Sequence, residues 1–298
     1  MAAKVLWGQP VAERIYQELR ERLQRLARRG VVPGLAMVRV GEDPASLVYV
    51  RQKQRACESL GIRSRVLALP AETPEPQLLD LLEELNRDPD IHGILVQLPL
   101  PPHLSPLRAF AAIAPQKDVD GFHPRNMGRL LLGEPYLIPC TPHAVWEILR
   151  QHGYPPEGKH VVICGRSPTV GKPLAALLLQ KKEGLNATVT VCHTGTPDLA
   201  RFTRQADILV AAMGAPGAIT ADMVREGAVV IDVGINRVPD PSAKTGFRLV
   251  GDTDFPALVE RVEAITPVPG GVGPVTVAML LWNTVLACEH QLGLPGQD

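Results

Sequence analysis

Aromatic side chains are scarce, at 4% of 298 residues, while hydrophobic residues of all kinds reach 45%. The core must therefore be aliphatic, and the 29 prolines stiffen the loops. Neither sign of charge is in excess: 31 Lys and Arg face 31 Asp and Glu. A general binder of nucleic acid or of anionic membranes would carry a basic surplus, so both classes are disfavoured. The five cysteines (Cys57, Cys140, Cys164, Cys192, Cys288) are scattered, odd in number and without CxxC spacing. This fits buried thiols in a reducing cytosol, not a disulfide framework or a zinc site. The eight histidines lack metal-ligand spacing, and no HExxH-like pair occurs, so no metal is expected. The start, MAAKVLWGQP, has no apolar stretch long enough for a secretory signal. No run is read as approaching the roughly 18 apolar residues of a membrane span. The expectation is a soluble cytoplasmic protein without nucleic-acid or membrane partners, long enough for one large or two ordinary domains.

What is present is an alternation of two periods. Val11–Arg29 has a helical stripe (Val11, Ile15, Leu19, Leu23, Leu26) closed by Gly30. LAMVRV, RVLALP and GILVQL read as strands, separated by helical segments at Ser46–Leu60 and Gln77–Asn86. The second half repeats the pattern: HVVICG, KPLAALLLQKK, ATVTVC, DLARFTRQA, DILVAAMG, TADMVREG, AVVIDVG. Short apolar runs between helices indicate buried parallel strands and an α/β fold. The Pro- and Gly-rich stretch 99–142, with one short helix candidate near Arg108–Ala114, lies between the halves as a domain boundary or functional loop.

HVVICGRSPTVGKPLAALLL reads as strand, glycine-bounded loop and helix. Gly165 and Gly171 permit tight turning and close approach to a ligand, and the helix start favours a phosphate. It is not GxGxxG, so a plain βα turn competes with the dinucleotide reading until its position, opening a βαβαβ series, is considered. A site for NAD commonly has an Asp or Glu about 20 residues on, for the ribose 2′-hydroxyl. Here the second strand ends in His193 and Thr194, with Arg166 in the first loop. An uncharged, donor-rich pocket with an arginine suits a 2′-phosphate, which favours NADP.

Four further features place polar groups in unusual company. In Ser46–Leu60 the apolar face carries Ser46, Tyr49, Val50, Ala56, Cys57 and Leu60, with Lys53 in its middle and the other long charges pointing away. Such a lysine either snorkels or, partly removed from water, cycles protons near neutrality. Gln97 follows GILV, and its amide could orient a lysine or a ligand amide. Asp118 and Asp120 flank Val119 in KDVDG, which alone is only a turn. TPVPGGVGPVT (Thr266–Thr276) is a rigid loop able to bring backbone close to a flat ligand.

Taken in order, SLVYVRQK, VQLPLP, KDVDGFHPRNMGRL, PCTP, CGRSPTVGKP, DVGIN, GDTDF and TPVPGGVGPVT resemble the bifunctional methylenetetrahydrofolate dehydrogenase/methenyltetrahydrofolate cyclohydrolase family, across almost the whole chain. The resemblance implies two α/β domains flanking a cleft, the second a Rossmann-like doubly wound parallel sheet. Residues 1–140, completed by a C-terminal helix at 274–298, would bind folate, and 141–273 would bind NADP. Lys53 would be the catalytic lysine, Tyr49 would pack on the folate, Gln97 would hold the lysine, and Asp120 would accept hydrogen bonds from the pterin. Leu98, Pro267, Gly270 and Gly271 would line the folate site. Gly165, Arg166, Ser167, Thr194 and Ile235 would contact NADP. The implied substrates are one-carbon tetrahydrofolates, in metabolism feeding purine, methionine and histidine synthesis, and the implied assembly is a homodimer. Departures from the family pattern are Thr194 for a serine, Thr253 within GDVDF, Ala144 for the glycine of PCTPxG, and Val275 for a methionine. A dehydrogenase of another small substrate, or a non-catalytic nucleotide-binding subunit, are the competing classes. Neither accounts for Tyr49, Lys53, Gln97 and KDVDG together.

Overall fold

The computed structural model describes residues 2–243 and 246–294. The chain divides into two compact units, one of residues 1–13 and 141–276, the other of 14–140 and 277–298. It opens with strand β1 (Lys4–Val5) and helix α1 (Gly8–Ala27). The stripe read in the sequence is the buried side of α1: Val11, Ile15, Leu19 and Leu26 are all 2% exposed or less.

The unit of residues 14–140 and 277–298 contains β2 (Gly34–Val40), α2 (Pro44–Leu60), β3 (Arg63–Leu69), α3 (Glu75–Arg87), β4 (Gly93–Val96), α4 (Pro106–Ala112) and α5 (Pro124–Leu131). Its sheet is parallel, in the order β3-β2-β4. Ala36, Val38 and Val40 of β2 pack with Ile94 and Val96 of β4 on Leu78, Leu82 and Leu85 of α3. The alternate positions Leu35, Met37 and Leu95 are buried as well, so both faces of these strands are covered and, Arg39 apart, they read as apolar runs. Asp43 caps α2 by accepting from the Ser46 amide at 2.8 Å, Pro44 occupies its first turn, and Gly61 ends it with φ 72°. The stretch 99–142 holds more helix than expected. Besides α4, α5 forms there, capped by the His123 ring, which accepts from the Arg125 amide at 2.9 Å.

The other unit contains α6 (Cys140–His152), β5 (His160–Cys164), α7 (Gly171–Leu178), β6 (Thr188–Cys192), α8 (Leu199–Thr203), β7 (Ile208–Ala211), β8 (Val229–Asp232), β9 (Asn236–Pro239), β10 (Phe247–Val250), α9 (Phe255–Leu258) and β11 (Ala264–Ile265). β9 and β10 form a small antiparallel ribbon. The main sheet is parallel, in the order β1-β11-β8-β7-β5-β6. After β6 the chain crosses to the other side of β5, so strand order reverses at β5 and β7. Ligands bind at the carboxyl ends of strands at such a point. TADMVREG, expected to alternate as a helix, makes only one 3₁₀ turn at Ala221–Met223. The first residues also differ from the expected division at 140: β1 pairs with β11, so the amino terminus belongs to the six-stranded unit.

The last helix, α10 (Val272–Gln291), is shorter than the expected 274–298 at its end, and residues 295–298 lie outside the described residues. It also corrects the reading that no run approaches a membrane span. By length and composition α10 qualifies, with mean hydropathy 1.4, but 67% of that window is buried, as in a core helix.

Candidate active site

α2 presents its polar exception where the sequence pattern put it. Val50 and Cys57 lie in the core, while Tyr49, Lys53 and Ala56 are half-buried on the same side. Lys53 Nζ donates to Gln97 Oε1 at 3.0 Å. The glutamine is fixed from two sides. Its backbone N–H continues the β2–β4 ladder to Val38 O at 2.8 Å, and its side-chain Nε2 donates to Leu98 O at 2.8 Å. With Nε2 thus engaged, Oε1 must face the lysine. Ser46 Oγ shares the Leu98 carbonyl at 3.2 Å, tying the start of α2 to the same segment.

Asp120 belongs to the turn that follows the buried Val119, whose side chain packs on Gly93 of β4. Burial pushes its carboxyl up to about 6; the nearby Lys53 charge pulls it down, Asp118 adds to the rise, and a hydrogen bond with the Cys140 thiol opposes it. The residue keeps a partly accessible edge. Asp118 is wholly interior. It accepts from the amides of Phe122 (3.2 Å) and His123 (2.8 Å) and from Asn126 Nδ2 (2.8 Å), holding the start of α5. Burial raises its carboxyl too, against those same hydrogen bonds.

Two residues that sequence reasoning missed support this turn. Cys140 Sγ lies 3.2 Å from Val119 O, and burial keeps the thiol protonated, its titration raised well above the usual range. Asn283 of α10 donates through Nδ2 to Val119 O and Ile138 O, both at 2.8 Å. An asparagine in the middle of an apolar helix was the available signal, since a buried amide needs partners.

The remaining expected site residues lie in the other unit. Gly165 follows β5 with φ 132°, and a Cβ there would fall 2.1 Å from Ala212 O; one on Gly171 would fall 2.0 Å from Gly165 O. Only glycine permits a chain folded this tightly, and the loop it makes opens onto the start of α7. Ser167 Oγ accepts from the Val170 amide at 3.0 Å and so braces the loop internally. Arg166 is exposed beside it, Thr194 is exposed after β6, and Ile235 is 47% exposed after β8. His193 Nδ1 accepts from the Gly195 amide at 3.0 Å. Such a glycine-walled loop at a helix start, with an unburied guanidinium beside it, fits a phosphorylated dinucleotide. Pro267 and Gly271 are buried, and the Pro-Gly loop is anchored by the Gly8 amide, which donates to Gly270 O at 2.8 Å.

A parallel sheet with a phosphate-type loop, and a separate unit offering a lysine, an oriented amide and a carboxyl, are the features of a nucleotide-dependent enzyme. Comparison with known proteins gives the particular family. Residues 6–120 match the tetrahydrofolate dehydrogenase/cyclohydrolase catalytic domain, and residues 139–292 match the NAD(P)-binding domain of the same family. The bifunctional protein FolD of Prosthecochloris aestuarii is 54% identical over 290 residues, covering 96% of this chain and 98% of that protein. The FolD structure from Campylobacter jejuni superposes with a TM-score of 0.91 at 45% identity, over 97% of this chain and 100% of that one. The Trypanosoma brucei enzyme, solved with NADP cofactor and an inhibitor, gives 0.93 at 43% identity, over 98% and 99%. The chain belongs to the tetrahydrofolate dehydrogenase/cyclohydrolase family.

Proposed function

We propose that the protein oxidises 5,10-methylenetetrahydrofolate to 5,10-methenyltetrahydrofolate with NADP⁺, and then hydrolyses that product to 10-formyltetrahydrofolate. The observation that carries this reading is the Lys53–Gln97 hydrogen bond beside Asp120, in the region matching the family's catalytic domain. When bound, NADP⁺ supplies the acceptor for the hydrogen and electron pair leaving the bridge carbon. The lone pairs of N5 and N10 assist that departure, so the chain's task in this step is positioning. Tyr49 packs on the folate, Asp120 accepts from the pterin amino and ring N–H groups, and Leu98, Pro267, Gly270 and Gly271 line its site. Gly165, Arg166, Ser167, Thr194 and Ile235 hold the cofactor.

In the second step water adds to the bridge carbon of the methenyl cation. Lys53 Nζ takes or relays the water proton; the N5–carbon bond then opens with its electron pair going to N5, which gains a proton, while the adduct hydroxyl loses one and becomes the formyl C=O on N10. Gln97 sets the direction of Lys53, because its own Nε2 is already committed to Leu98 O. The exposed Arg166, with His193 and Thr194 in place of a carboxylate after β6, supports NADP over NAD. Residues 14–140 with 277–298 serve the folate, and 141–276 with the first 13 residues serve the cofactor, in a soluble, cytoplasmic homodimer.

One absorbance experiment tests the whole reading. Methylenetetrahydrofolate with NADP⁺ should give a methenyltetrahydrofolate signal that rises and then decays. A rise without catalysed decay would remove the hydrolytic half, and no rise would remove the reading. Faster turnover with NAD⁺ would refute the roles of Arg166, His193 and Thr194.

A further inference from the structure

At the carboxyl ends of β7 and β8 the fold buries two carboxylates that the proposed chemistry does not use. Asp252 is 0% exposed and Asp232 is 1% exposed. Asp252 accepts from three successive amides, those of Met213, Gly214 (3.0 Å) and Ala215 (2.9 Å), and from Asn236 Nδ2 at 2.8 Å. Asp232 accepts from the amides of Gly234, Asp252 and Thr253, each at 2.9 Å, and from Thr253 Oγ1 at 2.6 Å. These donors are neutral amides and one hydroxyl. The hydroxyl is the Thr253 departure from the family pattern, which adds a bond that valine could not make.

Three consecutive N–H groups converging on one anion form the kind of concavity that elsewhere grips a phosphate. Here it is filled from within by Asp252. The N–H groups of residues 213–215 are therefore committed, and phosphate binding is left to the loop at Gly165–Gly171. What the knot gives the cofactor is shape. Ala212, directly before the clamped amides, is the backbone against which Gly165 closes. Asn236, clamped from the other side, adjoins the exposed Ile235, while Met213 is itself 39% exposed.

We propose that Asp252 is a positioning residue for the dinucleotide. By clamping the loop after β7 to Asn236 after β8, it holds the wall behind Gly165 and the apolar face at Ile235 in the cofactor-accepting arrangement. This makes GDTDF part of the cofactor machinery although none of its side chains need touch the ligand. The inference rests on the functional reading above.

The test is Asp252→Asn, which puts an NH₂ where an acceptor faced an N–H. Calorimetric titration of NADP⁺ into the variant should show Kd raised about tenfold, the loss expected for charge-assisted hydrogen bonds. The ratio of dehydrogenase to cyclohydrolase activity should fall by a similar factor, hydrolysis being followed on preformed methenyltetrahydrofolate. A Kd within about twofold of wild type, or two activities falling in step, would overturn the proposal. If Asp252→Asn does not fold, Asn236→Ala decides: it removes one donor and should raise Kd by about fivefold, and an unchanged Kd would again overturn it. A wild-type chain that fails to bind NADP⁺ would instead sink the functional reading, and this inference with it.

Discussion

The six-stranded unit saturates two interior carboxylates, whereas the three-stranded unit saturates one and leaves another partly open. In the six-stranded unit Asp232 and Asp252 each accept four bonds from the protein, and their geometry is closed. In the three-stranded unit the same contrast occurs within one motif. Asp118 is engaged by two amides and an asparagine, whereas Asp120, two residues on, keeps an accessible edge and feels a thiol and a lysine. A buried polar group must be satisfied by the protein or by a ligand. The contrast predicts that saturated carboxylates hold the fold while Asp120 awaits a substrate, a distinction that neither residue type nor burial alone makes.

Lys53 offers the largest test of the comparison. Lys53→Met keeps the length and apolar stem of the side chain and removes the nitrogen, so α2 should pack as before. Cyclohydrolase activity should fall by about 10²-fold or more, the low end of acid–base contributions, while the melting temperature changes little. Near-normal hydrolysis of methenyltetrahydrofolate by this variant would place Lys53 among the structural groups and dissolve the distinction.

Asp118 should behave in the reverse manner. Asp118→Ala leaves the Phe122 and His123 amides and Asn126 without their acceptor, which predicts a loss of about 2 kcal/mol in denaturant unfolding. Substrate KM in the variant that remains folded should shift far less than stability does. A variant as stable as wild type would show that saturation is no guide to structural weight.

The sequence made these two roles unequally legible. Parallel strands were visible because burial on both faces removes alternation, and Lys53 because a helical stripe exposes any polar intruder. Gly165 and Gly171 were visible because neighbouring backbone comes too close at either position for a Cβ to fit. α5 was hidden because its N-cap is a histidine and its eight residues (Pro124–Leu131) give too few turns for periodicity. α9 and the 3₁₀ turn at Ala221–Met223 are shorter still and take their form from packing rather than pattern, whereas α8 falls within the helical reading of DLARFTRQA. The supports of the site were hidden for another reason. Cys140, Asn283 and Asp252 act on residues 20, 164 and 37–39 positions away respectively, and a contact at that range leaves no local period to read. Thr253, which looked like a neutral departure, acquires a role only once Asp232 is seen beside it.

Asp120 carries the smallest and most discriminating expectation, because pH can change its role. Its carboxyl titrates near 6 in the folded chain, against an ordinary 3.8, chiefly because it is buried. Above about pH 6 it is a carboxylate able to accept from the pterin; as pH falls through 6 it gains a proton, and the folate KM should climb. Asp120→Asn should raise KM by about tenfold at pH 7.5 and flatten that profile, since an amide accepts through one oxygen and does not titrate. Stability moves the other way. A carboxyl whose folded value lies above its unfolded one favours folding below pH 3.8 and loses that contribution as pH rises to about 6. The wild type thus bears the burial of a charge at neutral pH, and Asp120→Asn should be equally or more stable at pH 7.5 while binding folate less well. A variant that lost stability with its folate KM intact would put Asp120 in the same category as Asp118.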